Sequence, residues 1–508
     1  MKKTALIIML ITIFSKVLGF TREISLSYFY GASNISDAYL ISLTIPMTIF
    51  SFIGTGISTC YIPVYSDIQE KKGLKNADLF TSNLINVLML ISTLFVLFGL
   101  FFTEPIVKIF AFGFQGETLD LAILFTRISI IGIYFSALTY VFSSYLQINK
   151  NFVLPALIGI PFNLVSILAM ALSVKYNILI LSIGSVLAIA FQLVLVIPGA
   201  IKRGFRYSMT LDIKDIHTRN VFYLSIPVMF GVSINQINVL VDRTIASQIA
   251  VGGISALTYA NRLNWFVQGI IVMSIATVMY PTISKMVVDK NIKGLKKVVS
   301  GSITAISLLV LPATIGSIIF AEPIITLLFG RGAFDTEAIA MTSYALVFYS
   351  IGMLGIGLRE VLSRVFYSYQ DTRTPMINAA IGMFLNIILN IILSKYLGIG
   401  GLALATSIAA TFTTALMLIS LKKKIGSFGM KKITVSFFKI TIASIIMGVV
   451  AKMSFEYLIL FFSQNIALFL GIIIGAILYM TIMYFMKIDD VDEVVAMIKN
   501  KISGRQKI

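Results

Sequence analysis

Apolar runs of roughly 20 residues recur along the whole chain, each long enough to cross a hydrocarbon core as an α-helix. Of the 508 residues, 58% are hydrophobic and only 12% are charged, which is far from the composition of a soluble domain. The runs are continuously apolar and do not alternate between apolar and polar residues, which excludes a transmembrane β-barrel. The sequence therefore predicts an all-α polytopic membrane protein.

We predict fourteen transmembrane helices from these runs. They span residues 4–29, 36–65, 79–102, 118–146, 152–174, 178–201, 218–249, 254–284, 298–320, 337–368, 375–397, 400–421, 433–457 and 462–486. Lys and Arg residues set the orientation, because they concentrate in the cytoplasmic loops of membrane proteins. They cluster at one side in the segments 71–75, 202–219, 285–297 and 422–432. Both termini are therefore expected in the cytoplasm, which requires an even number of spans.

The net charge of +18 is explained by this topology and by contact with anionic lipid, so we expect no nucleic-acid partner. Cys60 is the single cysteine, which excludes an internal disulfide. The single histidine, His217, falls in a polar loop, which argues against a histidine-based metal site or proton relay. We expect no cofactor and no metal, and the sequence does not reveal a coupling ion.

Short motifs repeat at a distance of about 220 residues, or six helices. FTEPI at 102–106 returns as FAEPI at 320–324, and IGxxxN at 158–163 returns at 381–386. Six is an even number, so both copies have the same orientation and are related by a pseudo-two-fold axis along the membrane normal. We therefore predict two six-helix lobes around a central cavity, followed by two further helices. The predicted regions are 1–215, 216–430, 431–487 with helices 13 and 14, and a cytoplasmic tail at 488–508.

Ionisable residues are few within the predicted helices, and the candidates that we consider are Lys16, Arg22, Glu23, Asp37, Arg127, Asp242, Arg243, Arg262, Arg359, Glu360, Arg364 and Lys439. A charge at membrane depth is costly and usually faces a protein interior or a water-filled cavity. An alternative is that these residues form ion pairs between the lobes or extend towards the membrane interface. We favour a structural ion-pair role for Asp242, Arg243, Arg359, Glu360 and Arg364, since Glu360 and Arg364 have the i,i+4 spacing of a helical contact.

Helix 1 carries the densest group of these charges. Lys16 and Glu23 are seven residues apart and share a helical face, while Arg22 lies roughly 100° from Glu23. Gly19 between them permits a bend or local unwinding that would bring Arg22 inward. The net charge of the proposed cavity is positive, which favours an anionic substrate, and guanidinium groups suit phosphate in particular. Exporters of cationic drugs are expected to show the reverse polarity.

Five segments in this order resemble the MurJ (MviN) family of lipid II flippases, within the multidrug/oligosaccharidyl-lipid/polysaccharide exporter superfamily. They are SKVLGFTRE at 15–23, YGASNISDAY at 30–39, VDRTIAS at 241–247, SALTYANRL at 255–263 and RVFYSYQDTRTP at 364–375. The resemblance covers essentially the whole chain. It implies a V-shaped bundle that alternates between inward-open and outward-open states. It also implies that helices 13 and 14 form a groove for the polyprenyl tail of the substrate.

The resemblance also implies a set of substrate-binding residues, namely Lys16, Arg22, Glu23, Asp37, Asn261 and Arg262. The two basic residues of helix 1, the acidic residue that begins helix 2 and the arginine of helix 8 would hold the pyrophosphate and sugar head group. The chain departs from many members at Phe50 and Ser51, where they have basic residues, and at Trp265, where an acidic residue is often found. The head-group contacts are therefore expected to differ.

The sequence thus predicts a bacterial plasma-membrane flippase that moves an undecaprenyl-pyrophosphate-linked peptidoglycan precursor, lipid II, from the inner to the outer leaflet. Flippases for other lipid-linked glycans, such as capsule, exopolysaccharide or teichoic precursors, and a cation-coupled drug exporter stay open as alternatives. We do not expect an enzyme, because the short loops offer no cluster of acidic residues or histidine. The expected partners are the lipid-linked glycan and membrane lipid. We expect a monomer, and an association with the machinery of cell-wall synthesis stays open.

Overall fold

The computed structural model describes residues 2–486, and these residues form helices and no strand. Within them, nine helices are long and apolar enough to cross a membrane, or up to eleven if each of two bent pairs is one span. The predicted all-α polytopic membrane fold is confirmed. The predicted tail at 488–508 lies outside the described residues.

The helices are numbered in chain order, and a π-helical segment, Gln268–Val272, joins the eleventh to the twelfth. They are α1 (Lys2–Tyr30), α2 (Asn34–Lys72), α3 (Leu74–Phe101), α4 (Thr103–Phe110), α5 (Gly116–Ser129), α6 (Gly132–Ile148), α7 (Val153–Leu157), α8 (Gly159–Lys175), α9 (Leu179–Lys202), α10 (Ile216–Ile249), α11 (Gly253–Val267), α12 (Met273–Val288), α13 (Ile292–Ile319), α14 (Ala321–Leu328), α15 (Thr336–Ile351), α16 (Met353–Ser368), α17 (Arg373–Ile425), α18 (Met430–Leu458) and α19 (Gln464–Phe485).

Each of the fourteen predicted spans coincides with a helix or with consecutive helices of this set. Two predicted spans are bent pairs, because α5 and α6 meet at 43° and α15 and α16 meet at 45°. Helix α17 comprises two predicted spans joined at Gly398, whose φ of 54° and ψ of −132° are not helical. Helices α1 and α10 are not among the nine apolar helices, and they carry five of the charged candidate residues.

The predicted repeat recurs in the order and length of the helices. Helices α3 and α13 each have 28 residues, and each precedes a helix of 8 residues, α4 or α14. Left-handed backbone conformations also recur. Lys150 and Gln370 both have a φ of 58°, and Gly31 and Gly252 have φ values of 64° and 77°. The two copies therefore share turns as well as sequence motifs.

The chain divides into two compact units. The first comprises Met1–Ser255 and Arg331–Ala338. In this unit α10 packs closely on α2, where a Cβ at Gly56 would lie only 2.7 Å from the Cβ of Ser225. The predicted lobe boundary after residue 215 follows the sequence repeat, whereas the first compact unit also includes α10 because of this packing.

The second unit comprises Ala256–Gly330 and the described part of Ile339–Ile508. Its main hydrophobic core lies among α12, α13, α16 and α17 and includes Ile306 and Leu362, which are 0% exposed. Helices α18 and α19, which correspond to predicted helices 13 and 14, pack on each other, and α18 also packs on α13. Gly475 of α19 permits this approach, since a Cβ there would lie 2.9 Å from the Cβ of Ala451.

Candidate functional site

Helix α1 continues as a helix through Gly19 and packs on α8. A Cβ at Gly19 would lie 3.7 Å from Nδ2 of Asn163, and Gly159 leaves room for the hydroxyl of Ser15. Asn163 is held in place because its Nδ2 donates to the carbonyls of Ser15 at 3.3 Å and of Gly159 at 2.8 Å. Gly159 therefore permits the close packing of α8 on α1, and the backbone of α1 stays helical at Gly19 without the local unwinding that we considered there.

Arg22 and Glu23 form a buried ion pair on α1. Nη2 of Arg22 donates to Oε1 of Glu23 at 2.7 Å, and the two side chains are only 16% and 3% exposed. The guanidinium carbon of Arg22 also lies 5.1 Å from the centre of the Phe162 ring. A guanidinium group has five N–H donors, of which one serves Glu23, so donors remain for a phosphate group. Lys16 is exposed on the same helix.

Asp37 is 1% exposed, and its carboxylate is fully engaged with a neighbouring turn. Its Oδ1 accepts a hydrogen bond from the backbone N–H of Ser255 at 2.8 Å and from the Ser255 hydroxyl at 2.5 Å. The backbone N–H groups of Gly252 and Ile254 also donate to this carboxylate. Asp37 therefore holds the connection between α10 and α11 against the beginning of α2.

Two glycines shape the loops around this connection. Gly31 has a φ of 64°, and a Cβ there would clash with the carbonyl oxygen of Ala333. The backbone N–H of Ala333 in turn donates to the carbonyl of Tyr28 at 2.9 Å. Gly252, with a φ of 77°, lies against the carbonyl of Ala32 in the same way. Backbone contacts of this kind require glycine, because any side chain would occupy the place of the opposing carbonyl.

Arg243 of α10 contacts the backbone of α2. Its Nη1 donates to the carbonyl of Leu40 at 3.0 Å and also to the hydroxyl of Thr44. Asp242 lies beside it on α10 and is half-buried. Arg243 therefore links α10 to backbone and hydroxyl oxygens of α2, and the ion-pair role that we favoured for it stays a prediction.

Helix α2 contains Pro46, which has no N–H and cannot donate to the carbonyl of Ser42. The Ser129 hydroxyl takes its place and donates to that carbonyl at 2.7 Å. Ser129 is the last residue of α5, at the bend between α5 and α6. The irregular part of α2 is therefore stabilised by the side chain of another helix, as membrane helices with an internal proline require.

In the second unit, Asn261 and Arg262 lie on α11, seven and six residues before the first residue of the π-helical segment. Asn261 is half-buried and Arg262 is exposed. The next helical turn carries Asn264, which is 1% exposed and whose amide atoms have no hydrogen-bond partner within the described part of the chain.

Helix α16 carries the i,i+4 pair that the sequence indicates. Oε1 of Glu360 accepts from Nε of Arg364 at 3.2 Å and from Nη2 at 3.1 Å. The Arg364 guanidinium carbon lies 5.8 Å from the centre of the Tyr280 ring, and Arg359 is half-buried on the same helix. The structure thus joins Glu360 with Arg364 and Arg22 with Glu23. Residues 16–37 of the candidate set belong to the first unit, and Asn261 and Arg262 belong to the second.

Sequence reasoning missed the side chains that hold these candidates in place. Asn163 and Ser255 occur in quoted motifs, but the motifs gave them no role. Phe162, which lies beside Arg22, carries no signal in a single sequence because aromatic residues are common in membrane helices. Among residues 2–486, no group of three or more His, Cys, Asp or Glu side chains is placed to bind a metal ion.

A family model described as "Lipid II flippase MurJ" matches residues 26–485, which is most of the chain. The chain belongs to the MurJ family. Members of this family that are similar to the chain include a probable lipid II flippase MurJ of Buchnera aphidicola subsp. Baizongia pistaciae. That protein is 31% identical over 426 residues, which cover 80% of the chain and 81% of the relative. A probable lipid II flippase MurJ of Thermotoga maritima is 29% identical over 486 residues, which cover 95% and 96%.

A solved structure of a lipid II flippase MurJ in an inward closed conformation matches with a TM-score of 0.83 and 30% identity. The match covers 95% of the chain and 98% of that structure. An inward-facing multidrug-resistance MATE transporter of the MOP superfamily matches with a TM-score of 0.68 at 13% identity, covering 84% of the chain and 98% of that structure. This second likeness shows that the two proteins share a fold. The fold of the MurJ family is therefore present along nearly the whole chain.

Proposed function

We propose that the chain moves lipid II, an undecaprenyl-pyrophosphate-linked peptidoglycan precursor, from the inner to the outer leaflet by alternating access. The observation that carries this proposal is the buried Arg22–Glu23 pair on a membrane helix of a MurJ-family protein. Burying an arginine in a membrane protein is costly, so such residues are usually paired and mark functional sites. Arg22 retains N–H donors beyond the one that serves Glu23, and such donors suit pyrophosphate.

We assign pyrophosphate binding to Lys16, Arg22 and Arg262, and polar contact with the rest of the head group to Asn261. Glu23 orients Arg22 through its 2.7 Å hydrogen bond and limits the net charge of the site. Asp37 reaches a head group only if its bonds to Ser255 break, so its first role is to hold the connection between α10 and α11. An inside-negative potential assists outward movement of an anionic head group by about 2.3 kcal/mol for each charge that crosses 100 mV.

The proposed location is the bacterial plasma membrane, with both termini in the cytoplasm. Helices α18 and α19 form the groove for the polyprenyl tail, which stays in lipid while the head group crosses. In this proposal the protein acts as a transporter without catalysing a chemical reaction and as a monomer, and an association with the machinery of cell-wall synthesis stays open. The proposed head-group site does not require a coupling ion, and we assign none.

Replacement of a bacterial host's essential lipid II flippase tests this function. The chain is expected to restore growth after depletion of the host protein, and Arg22→Ala is expected to abolish growth while membrane abundance stays unchanged. Arg127→Ala is the matched control, because Arg127 is exposed in the last turn of α5. Normal growth of the Arg22→Ala strain would contradict the assignment of Arg22. Failure of the unmodified chain, when it is correctly inserted, would contradict lipid II as its substrate.

Phe50 favours a second candidate, a flippase for a different lipid-linked glycan. It is 4% exposed and packs on Tyr140, with ring centres 5.4 Å apart. No charge is therefore supplied at a position where many MurJ-family proteins have a basic residue. Transport of fluorescent lipid II in proteoliposomes, in competition with unlabelled teichoic or capsule precursors, distinguishes the two. Stronger competition by one of those precursors than by unlabelled lipid II would favour the second candidate.

A further inference from the structure

Helices α11 and α12 have a buried face that continues through the π-helical segment. The residues of this face follow one another at intervals of four positions, and none is more than 5% exposed. They are Ala260, Asn264, Gln268, Val272 and Ala276. In an uninterrupted α-helix a step of four residues turns by about 40° beyond a full circle, so this series would drift by about 160°. The wider turn of the π-helical segment, which accommodates one extra residue, takes up about 100° of that drift.

Arg262 lies on the opposite side of α11 from this buried face. It is two residues from both Ala260 and Asn264, which corresponds to about 200° around the helix, and it is exposed where they are buried. A π-helical turn accommodates one extra residue. If the segment relaxed to α-helix, α11 would rotate by about 100° relative to α12. Leu263 would then take the direction that Arg262 has now.

Gln268 is the polar anchor of the π-helical segment. It is 5% exposed, and its Nε2 donates to the carbonyl of Met353, the first residue of α16, at 2.7 Å. Gly357, one turn later on α16, makes room for this contact. A Cβ at Gly357 would lie 3.2 Å from Oε1 of Gln268 and 2.9 Å from Val272. Both ends of the segment therefore depend on the close approach of α16.

We propose that Gln268 is a positioning residue: by anchoring the π-helical segment to α16, it fixes the direction in which Arg262 presents its guanidinium group to the pyrophosphate of the substrate. This inference rests on the proposed function, because it needs Arg262 as a head-group ligand. Gln268 itself is buried in the second unit and need not touch substrate. Relaxation to α-helix would rotate Gln268 with α11, so its bond to the carbonyl of Met353 favours the π-helical turn.

Cysteine labelling tests the direction of the helix, and the chain suits it because Cys60 is the single cysteine and is buried. In a Cys60→Ala background, one cysteine at a time is introduced by Arg262→Cys, Leu263→Cys or Thr277→Cys. The rate at which each introduced cysteine reacts with a maleimide is then measured. Gln268→Leu is expected to slow labelling at 262 and to speed it at 263. Labelling at Thr277, which is exposed beyond the segment, is expected to stay unchanged.

Two further variants separate positioning from general damage. The first combines Gln268→Leu with deletion of Gly269, which removes the extra residue of the π-helical turn. A regular α-helix then points Arg262 in the same direction as in the unmodified chain. The labelling rates at 262 and 263 are therefore expected to return to those of the unmodified chain. Gly357→Ala displaces Gln268 from the other side and is expected to act like Gln268→Leu, which keeps the test available if that variant fails to fold.

Binding of a short-chain isoprenyl pyrophosphate to the full-length protein completes the test. Gln268→Leu, with Arg262 present, is expected to weaken binding about ten-fold, as loss of one charge-assisted hydrogen bond would, and deletion of Gly269 is expected to restore it. An unchanged labelling pattern in both Gln268→Leu and Gly357→Ala overturns this inference and leaves the proposed function intact. A changed pattern with unchanged binding and transport overturns the role of Arg262 and, with it, the inference.

Discussion

Two buried asparagines differ in whether their amides are hydrogen bonded. Asn163 is 5% exposed and its Nδ2 donates to two carbonyls, whereas both amide atoms of Asn264, 1% exposed, lack a partner within the described residues. An unpaired buried polar group costs about 1–3 kcal/mol. Asn264→Leu, which keeps the number and branching of the heavy atoms, is therefore expected to raise the melting temperature of the purified protein.

Asn163→Leu is the matched control and is expected to lower the melting temperature, because it leaves the carbonyl of Ser15 without this donor. Thermal unfolding in the same detergent measures both. An equal loss of stability in the two variants would contradict the expectation. It would indicate that the amide of Asn264 is occupied in the protein.

Asp371, in the loop before α17, links stability to pH. Its Oδ2 accepts from Nζ of Lys424 at 2.5 Å, and the Thr374 backbone N–H donates to Oδ1 at 3.0 Å. These bonds lower the pKa of Asp371 to about 2. Because the folded pKa is below the unfolded value of about 3.9, the stabilisation is complete above that value and is lost as the pH falls towards 2.

The melting temperature is therefore expected to fall more steeply between pH 4 and pH 2 in the unmodified chain than in Asp371→Asn. At neutral pH, Asp371→Asn is expected to be the less stable of the two because its contact with Lys424 is weaker. Parallel pH profiles for the two proteins would contradict the proposed linkage.

At the scale of elements, the loop after α14 is held on the first unit by backbone contacts that exclude a side chain at Gly31. Gly31→Ala is expected to release this loop, because the new Cβ would clash with the carbonyl of Ala333 and the φ of 64° disfavours alanine. Hydrogen exchange is then expected to quicken at Ala333, whose N–H is bonded to Tyr28. Gly73→Ala is the control. Gly73 has a φ of 83° but nothing within 4 Å of its Cβ position, so it carries only the backbone strain.

The sequence predicted where the helices lie far better than it predicted their irregularities. Apolar runs of sufficient length are a local property, so each predicted span falls on helix, although only nine to eleven spans are long and apolar enough to cross a membrane among the described residues. The π-helical segment depends on the contact of Gln268 with Met353, and the proline in α2 depends on Ser129 of a later helix. These partners are distant in the chain, and no local pattern records them. For the same reason the sequence indicated the charges of α1 but not Phe162 beside Arg22.

At the scale of the whole molecule, the repeat and the packing divide the chain differently. The repeat places the boundary after residue 215, whereas the first compact unit continues to Ser255 and includes α10. A repeat records how helices succeed one another. It does not record that Gly56 of α2 and Ser225 of α10 approach closely enough to exclude a Cβ. The predicted lobes therefore describe the sequence repeat and the symmetry expected from it, whereas the compact units describe which helices stabilise one another.

Two fragments of the chain test which division governs folding. A fragment of residues 1–215 lacks α10 and leaves the face of α2 around Gly56 without its packing partner, whereas a fragment of residues 1–255 retains both. The longer fragment is therefore expected to give more monodisperse protein in detergent at equal expression, measured by size-exclusion chromatography. Gly56→Leu in the longer fragment is expected to reduce that advantage, because the new side chain would displace α10. Equal behaviour of the two fragments would mean that the first six helices fold without α10, and the boundary predicted from the repeat would then also be the boundary of stability.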